Sequence, residues 1–474
     1  MASAPDFKPV HASAPGKVLI SGGYQILHRP LPGLVFTTDC RFHADCGEVE
    51  HGASRPVVAA PWAIRVVSEQ LGEESLFCVH STEERLKVAL ISGPHNPFVI
   101  QALTCALAAV GPEVLAVFLK RFINSSSSSS LESPTLGSEP PPCLLVVRVR
   151  GDNAFYVQHH NLTRLGLPQS PESLQKLPPF QPVARDEHGS LQKTGLGSSA
   201  ALTVSVVAAV ASFLWQHRAP DGWQQTVYQA AQVAHCAAQG KIGSGFDVSA
   251  AVFGSHRYVR FSPALIEPLL QKLADGTLRC PGDFLDAAQW DDERVPVRFP
   301  ASLKLVLADV NAGSNTPSMV RKVLDGLRDR ADQTAPVWRE LTASNVAFEQ
   351  QLHLLAESAA SPAPSVSQRD ALRVAYQKSR GLLRTLGQLC DVPIEPPEQT
   401  LLLDSTLQLP GAVFAGVPGA GGFDAIFAAV HDDPSALADI DRHWASFPTS
   451  VWRLAVSQDD RGLVVEEQAK TSEN

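Results

Sequence analysis

Lys193-Thr194-Gly195-Leu196-Gly197-Ser198-Ser199-Ala200-Ala201 runs directly into the apolar stretch Leu202 to Trp215. A glycine–serine turn that opens at once into a helix-forming segment points to a phosphate ligand. Gly195 and Gly197 tolerate positive φ and let an oxyanion approach the backbone, and the first N–H groups of the helix have no intrahelical partners. Ser198 and Ser199 add hydroxyls for a phosphate oxygen or a divalent metal. No G-x-x-x-x-G-K-[ST] loop occurs in the chain. Gly195 to Ala200 fits the degenerate G-x-G-x-x-[GA] dinucleotide pattern, but the polar Arg185 to Thr194 upstream lacks the buried strand that pattern requires. The plain alternative is a turn with Ser198 or Ser199 as helix cap.

Two further glycine-rich turns bear on that choice: Ala14-Pro15-Gly16-Lys17, continuing to Ser21-Gly22-Gly23-Tyr24, and Gly416-Val417-Pro418-Gly419-Ala420-Gly421-Gly422-Phe423-Asp424. With three such motifs in this order, the chain resembles the kinase superfamily of galactokinase, homoserine kinase, mevalonate kinase and phosphomevalonate kinase, and most of all its eukaryotic, fungal-type phosphomevalonate kinase branch. The distinguishing words are Gly22-Gly23-Tyr24, Gln239-Gly240-Lys241-Ile242-Gly243-Ser244-Gly245-Phe246-Asp247-Val248, and Val417 to Asp424. Asn96-Pro97-Phe98, Asp309 to Val320 and Ile394-Glu395-Pro396 are similar to that branch as well. The resemblance spans about Ala12 to Val465.

Composition sets bounds on partners. The chain has 474 residues, 44% hydrophobic and 18% charged, with a net charge of −9. These are globular values for two domains or more, and the acidic balance excludes a general nucleic-acid or membrane-surface role, which needs a basic excess. Small anionic ligands remain open, since only local charge matters to them. The eight cysteines form no C-x-x-C pair, so they read as reduced thiols of a cytoplasmic protein. No secretory signal is visible at Met1 to Lys8, and Ala200 to Trp215 falls short of the ~20 residues of a membrane span.

Val18 to Ile20, Leu34 to Thr37, Leu144 to Val149 and Leu303 to Leu307 read as strands, Gln224 to Ala238 and Arg369 to Leu389 as helical segments, and Val248 to Phe253 as a short apolar segment. The serine- and proline-rich segment 124–142 reads as a flexible insertion, and Ser358 to Ser367 as a loop. A composition shift near Asp275 to Pro300 places a division between 1–285, the nucleotide-binding part, and 286–474. The resemblance implies an α+β fold, with a ribosomal-protein-S5-like N-terminal domain and a ferredoxin-like C-terminal α/β sandwich.

The resemblance also implies the chemistry: transfer of the γ-phosphoryl of ATP to (R)-5-phosphomevalonate, with Mg2+ as cofactor. Lys17 and Asp247 are the implied catalytic pair. Lys193, Gly195, Leu196, Gly197, Ser198, Ser199 and Ala200 would hold the ATP phosphates, with Ser199 (or else Ser198) as a metal ligand. Lys17, Lys241, Ser244, Ser314, Thr316, Gly419, Ala420 and Gly421 would face the substrate. Asp247 also suits a helix cap, Asp424 is expected to cap a helix after the third turn, and each lysine has a plain reading as a solvated surface residue. The chain departs from the mevalonate kinase pattern in having no acid from Gln224 to Gln239. An acceptor phosphate has its second pKa near ~6 and arrives largely deprotonated, so Asp247 is expected to orient rather than to remove a proton. Two rival readings are a superfamily kinase acting on an alcohol, mevalonate kinase-like, and a non-catalytic ligand sensor on the same fold.

Overall fold

The computed structural model describes residues 7–49, 61–122, 141–186, 188–216, 219–284, 289–310, 316–357, 366–448 and 451–467. The chain begins with two long antiparallel strands, β1 (Val10–Ser21) and β2 (Gly33–Glu48), whose pairing is irregular between Pro15 and Lys17. Such irregularities bend a strand and re-aim nearby side chains; here they fall at Gly16, beside Lys17. The site has room only for glycine, because a Cβ would stand 2.9 Å from Thr38 Oγ1 and 3.3 Å from the Leu196 carbonyl oxygen.

The remaining strands are β3 (Trp62–Ser68), β4 (Glu73–Ser81), β5 (Leu86–Ser92), β6 (Cys143–Gly151), β7 (His256–Val259), β8 (Glu293–Pro296), β9 (Leu303–Asp309), β10 (Ala412–Gly416), β11 (Ala425–His431), β12 (Trp452–Arg453) and β13 (Val464–Glu467). One sheet runs β13-β1-β2-β6-β3-β4-β5, with β7 paired to β2 and β8 to β7; the other runs β10-β11-β9-β12. Among the described residues only β3 and β6 pair in parallel.

Helices Pro97–Val110, Ser198–Trp215 and Trp223–Gln239 pack together beside the first sheet. Every residue of Ser198–Trp215 is buried except Ser199 and Ser212. A helix apolar all round belongs in a core or a membrane. This one is apolar enough for either, but 83% of it is buried within the protein, so it is a core helix.

The second sheet is covered on both faces, because alternate residues of a strand point opposite ways. Leu305, Leu307, Phe414 and Phe427 join the core that holds Phe348 of helix Ala331–Glu357 and Tyr376 of helix Val366–Cys390. Val306, Ala308, Ile426, Ala428 and Val430 instead meet Leu402, Leu403, Ile440 and Trp444, from helices Pro397–Thr406 and Pro434–Ser446.

The expected strands fall within β1, β2, β6 and β9, and the expected helices are present. The sheets interleave in sequence: β8 follows the expected 285/286 division yet pairs with β7, and β13 returns from the far end to β1. Residues 285–288 at that division lie outside the described residues, as do 124–140 of the expected insertion and 358–365 of the expected loop. One expectation is corrected: Asp424 caps no helix. The third glycine turn joins the antiparallel strands β10 and β11, and β11 begins at Ala425.

Candidate active site

The second glycine motif ends at Gly197, which has a φ of +81° and stands as the N-cap of Ser198–Trp215 without any side-chain cap. Ser198 and Ser199 are therefore the first helical residues, and the reading of either serine as the cap is not realised. Helix Phe246–Phe253 starts in the same way, from Gly245 at a φ of +78° and with no side-chain cap. An uncapped N-terminus offers unpaired N–H donors at the positive end of the helix dipole. Two such ends suit an anion, with the Val248 N–H of the second already taken by Asp247 Oδ1.

Lys17 connects them. Its backbone N–H donates to the Leu196 carbonyl at 2.9 Å, tying β1 to the second motif, and its Nζ donates to the Gly195 carbonyl at 3.2 Å. The ammonium lies 5.5 Å from the Phe246 ring centroid. Burial holds it below its ordinary pKa, and the charge of Asp247 acts in the opposite direction. Asp247 is the second residue of its helix; its Oδ1 accepts from the Val248 N–H at 3.0 Å.

The third turn is seated on the first motif. Gly419 N–H donates to the Leu19 carbonyl at 3.0 Å, and Tyr24 Oη donates to the Ala420 carbonyl at 2.7 Å. Gly23 has to be glycine, since a Cβ would come within 2.1 Å of the Gly419 oxygen. The N–H groups of Gly421 and Gly422 are bound to the Pro418 and Ile394 carbonyls. With three amides engaged internally, the turn acts first as a wall that locks β1 to the second sheet.

These parts line a cleft of about 790 Å³. Lys17, Gly195, Leu196, Gly197, Lys241, Ser244, Asp247, Gly419, Ala420 and Gly421 all face it. Lys193, Ser198 and Ser199 line a smaller pocket of about 80 Å³ with Asn96 and Phe98, so Lys193 sits across the loop from Lys17. Asn96 itself caps helix Pro97–Val110, accepting from Phe98 and Val99. The Ala200 side chain is buried, which leaves only its backbone to offer a ligand. Ser314 lies outside the described residues, and Thr316 is described only as the first residue of helix Thr316–Asp329.

Sequence reasoning missed several residues. Arg321 and Arg328 of helix Thr316–Asp329 line the cleft, as does Arg260, whose guanidinium holds the Gly243 and Leu27 carbonyls. Gln232, His235 and Gln239 also face it. They share one face of their helix at spacings of three and four. Between Ala230 and Gln239 they are set among Ala, Val and Cys, and that polar stripe was the available signal. His235 Nε2 is 3.2 Å from Ser199 Oγ and 3.8 Å from Asp247 Oδ2. Burial lowers the imidazole pKa, with Asp247 opposing and Lys241 reinforcing the shift.

Magnesium suits this donor set. It takes few protein ligands and prefers oxygen, with phosphates and water completing its shell. The hydroxyl of Ser199 and the carboxylate of Asp247 are the oxygen donors on either side of His235, and among the described residues no group of three or more His, Cys, Asp or Glu forms a cage for a metal.

Comparison with known proteins agrees with this geometry. The family model described as the GHMP kinases N terminal domain matches residues 187–255, which run from the second glycine motif through Asp247. A phosphomevalonate kinase of Streptococcus pneumoniae, solved in complex with phosphomevalonate and AMPPNP, shares the fold: its TM-score is 0.58 at 14% identity, covering 95% of this chain and 99% of that one. Fold and site thus define a GHMP-type kinase. The peroxisomal phosphomevalonate kinase of Arabidopsis thaliana is 33% identical, covering 96% of both chains, and the phosphomevalonate kinase of Aspergillus fumigatus is 33% identical over 95% of this chain and 92% of its own. The chain belongs to the phosphomevalonate kinase family.

Proposed function

We propose that the cleft transfers the γ-phosphoryl group of ATP to the phosphate of (R)-5-phosphomevalonate, giving 5-diphosphomevalonate and ADP, a step toward isoprenoids and sterols. The carrying observation is the meeting of two uncapped helix N-termini with Lys17 and Asp247 on one cleft, in a chain whose full-length relatives bear this activity's name. An acceptor phosphate oxygen forms the new P–O bond as the bond between the γ-phosphorus and the β,γ-bridging oxygen breaks, and ADP leaves with that electron pair.

Both reactants are anionic, so positioning and charge neutralisation dominate. The backbone N–H groups of Ser198 to Ala200 hold the nucleotide phosphates, and Lys193 adds charge from the far side of the loop. Lys17, already placed by the Gly195 carbonyl, bridges donor and acceptor oxygens. Asp247 keeps Lys17 charged and in place, which a deprotonated acceptor requires more than it requires a base. Lys241, Ser244 and Arg321, all on the cleft lining, face the acceptor. Ser199, beside Asp247, would hold Mg2+, which would supply charge neutralisation at the phosphates.

The test is ADP release by the purified protein with Mg·ATP and, in turn, phosphomevalonate, mevalonate, galactose and homoserine. Turnover with phosphomevalonate alone is expected. Turnover with mevalonate would instead make it an alcohol kinase, and nucleotide binding without any turnover a sensor. We assign the protein to the cytoplasm, where its eight free thiols suit the reducing conditions. Imaging against a peroxisomal marker checks this, since the Arabidopsis relative is named peroxisomal.

A further inference from the structure

His235 is only 4% exposed, yet the cleft side of its ring is polar. Its Nε2 faces Ser199 Oγ at 3.2 Å, Gln239 Nε2 at 3.4 Å and Asp247 Oδ2 at 3.8 Å. Phe98 packs on the ring with centroids 5.5 Å apart. His235 therefore places one atom between Ser199 Oγ and Asp247 Oδ2.

We propose that His235 is a positioning residue whose Nε2 accepts the Ser199 hydroxyl proton in a hydrogen bond, leaving the lone pairs of Ser199 Oγ free for a metal–nucleotide ligand. This rests on the reading of Ser199 as a ligand of the magnesium–nucleotide complex. A serine hydroxyl has one proton to give and two lone pairs. Left alone in a helix it rotates, or bonds back to a carbonyl one turn earlier; engaged by His235, it offers oxygen to a cation. The Gln239 amide nitrogen is a donor only, so its contact at 3.4 Å calls for an unprotonated Nε2, and toward such an Nε2 the Ser199 hydroxyl is the donor. Asp247 stands beyond hydrogen-bond distance and requires no proton there.

Calorimetric titration of AMPPNP, once with Mg2+ and once with a chelator, separates this role from simple core packing. His235→Leu should weaken binding of the magnesium complex roughly tenfold, the worth of one hydrogen bond, and leave metal-free binding unchanged. His235→Gln, whose Oε1 reaches the position of Nε2, should restore it; the shorter His235→Asn should not. In a Ser199→Ala background, His235→Leu should cost nothing more, because the two residues act as one unit. Equal losses with and without metal, additive losses in the double variant, or failure of the glutamine to rescue would each overturn the proposal. Should His235→Leu not fold, His235→Asn carries the same comparison. The titrations contain no acceptor, so they stand or fall separately from the identity of the substrate, which the turnover assay decides.

Discussion

Gly197 and Lys17 touch across the two motifs: a Cβ on Gly197 would stand 2.9 Å from Lys17 Cε and 3.3 Å from its Cγ. Gly195 has a similar backbone, with a φ of +72° against +81°, but a Cβ there meets nothing within 4 Å. Alanine at either position bears a left-handed strain of about 1–2 kcal/mol; only at Gly197 does it also displace the lysine. Gly197→Ala should therefore lower kcat at least about tenfold more than Gly195→Ala, a gap of ~1.4 kcal/mol in the barrier, with similar melting temperatures. Equal kcat values in the two variants would show that the Lys17 position does not matter to turnover.

Lys17 itself gives a pH signature. Burial places its pKa below the ordinary 10.5, so in the free enzyme its charge is lost as pH rises through that lowered value. The profile of kcat/KM reports free-enzyme groups and should show an alkaline limb below 10.5. Lys17→Arg should remove the limb from whatever activity remains, since a guanidinium stays charged. Lys17→Met should lower kcat by more than it raises KM for ATP, because the bridging charge matters most while the phosphoryl is in flight. An alkaline limb unchanged in Lys17→Arg would assign it to another group.

The third turn depends on a buried ion cluster. Glu395 is buried with both oxygens engaged: Arg380 donates at 3.0 and 2.7 Å, Arg384 at 2.6 Å and Thr400 at 3.1 Å. Its neighbour Ile394 supplies the carbonyl that holds Gly422. Burial alone would raise the carboxyl pKa, but the two arginines outweigh it and the pKa is lowered. The cluster's stability is then present above the ordinary carboxyl range and lost as pH falls through the lowered folded value. Arg380→Met should cost about 3–5 kcal/mol at neutral pH by leaving a buried charge short of a partner. Denaturant unfolding at pH 7 and pH 4 checks this: the cost should shrink at pH 4, where the variant's carboxyl can protonate, and an unchanged cost would refute the account.

Much of the site was legible because its chemistry is carried by glycines at positions where only glycine fits. Gly16, Gly23 and Gly197 each face another motif at contact distance, so motifs far apart in sequence had to meet. The roles of Gly419 and Gly421 were less visible: glycine-rich sequence signals close backbone approach, but not whether the approaching group is a ligand or, as here, the Leu19, Pro418 and Ile394 carbonyls. Asp424 was misread because a glycine turn leads as readily into a strand as into a helix. Arg321 and Arg328 reach the cleft through tertiary packing of a helix more than sixty residues beyond Asp247, which no local pattern encodes. The division at 285 rested on composition, which does not register that β8 and β13 return to the first sheet.

Asp247 decides whether the reaction rests on position or on proton transfer. Asn at this site keeps the shape and an oxygen that accepts from Val248 N–H, as Asp247 Oδ1 now does at 3.0 Å, so the helix start should survive. What is lost is the charge that opposes the burial of Lys17. If Asp247 orients Lys17, Asp247→Asn should lower kcat by about 10²-fold across the pH range, the scale of one electrostatic contact at a transferring group. It should also move the alkaline limb to lower pH, since Lys17 loses the neighbour that raises its pKa. The acidic limb should remain, because it follows the substrate's own ionisation near ~6. If the acidic limb vanished in the variant with binding intact, Asp247 would be the titrating base. An alkaline limb that stayed in place would likewise break the link between Asp247 and Lys17, and with it the positional account of catalysis.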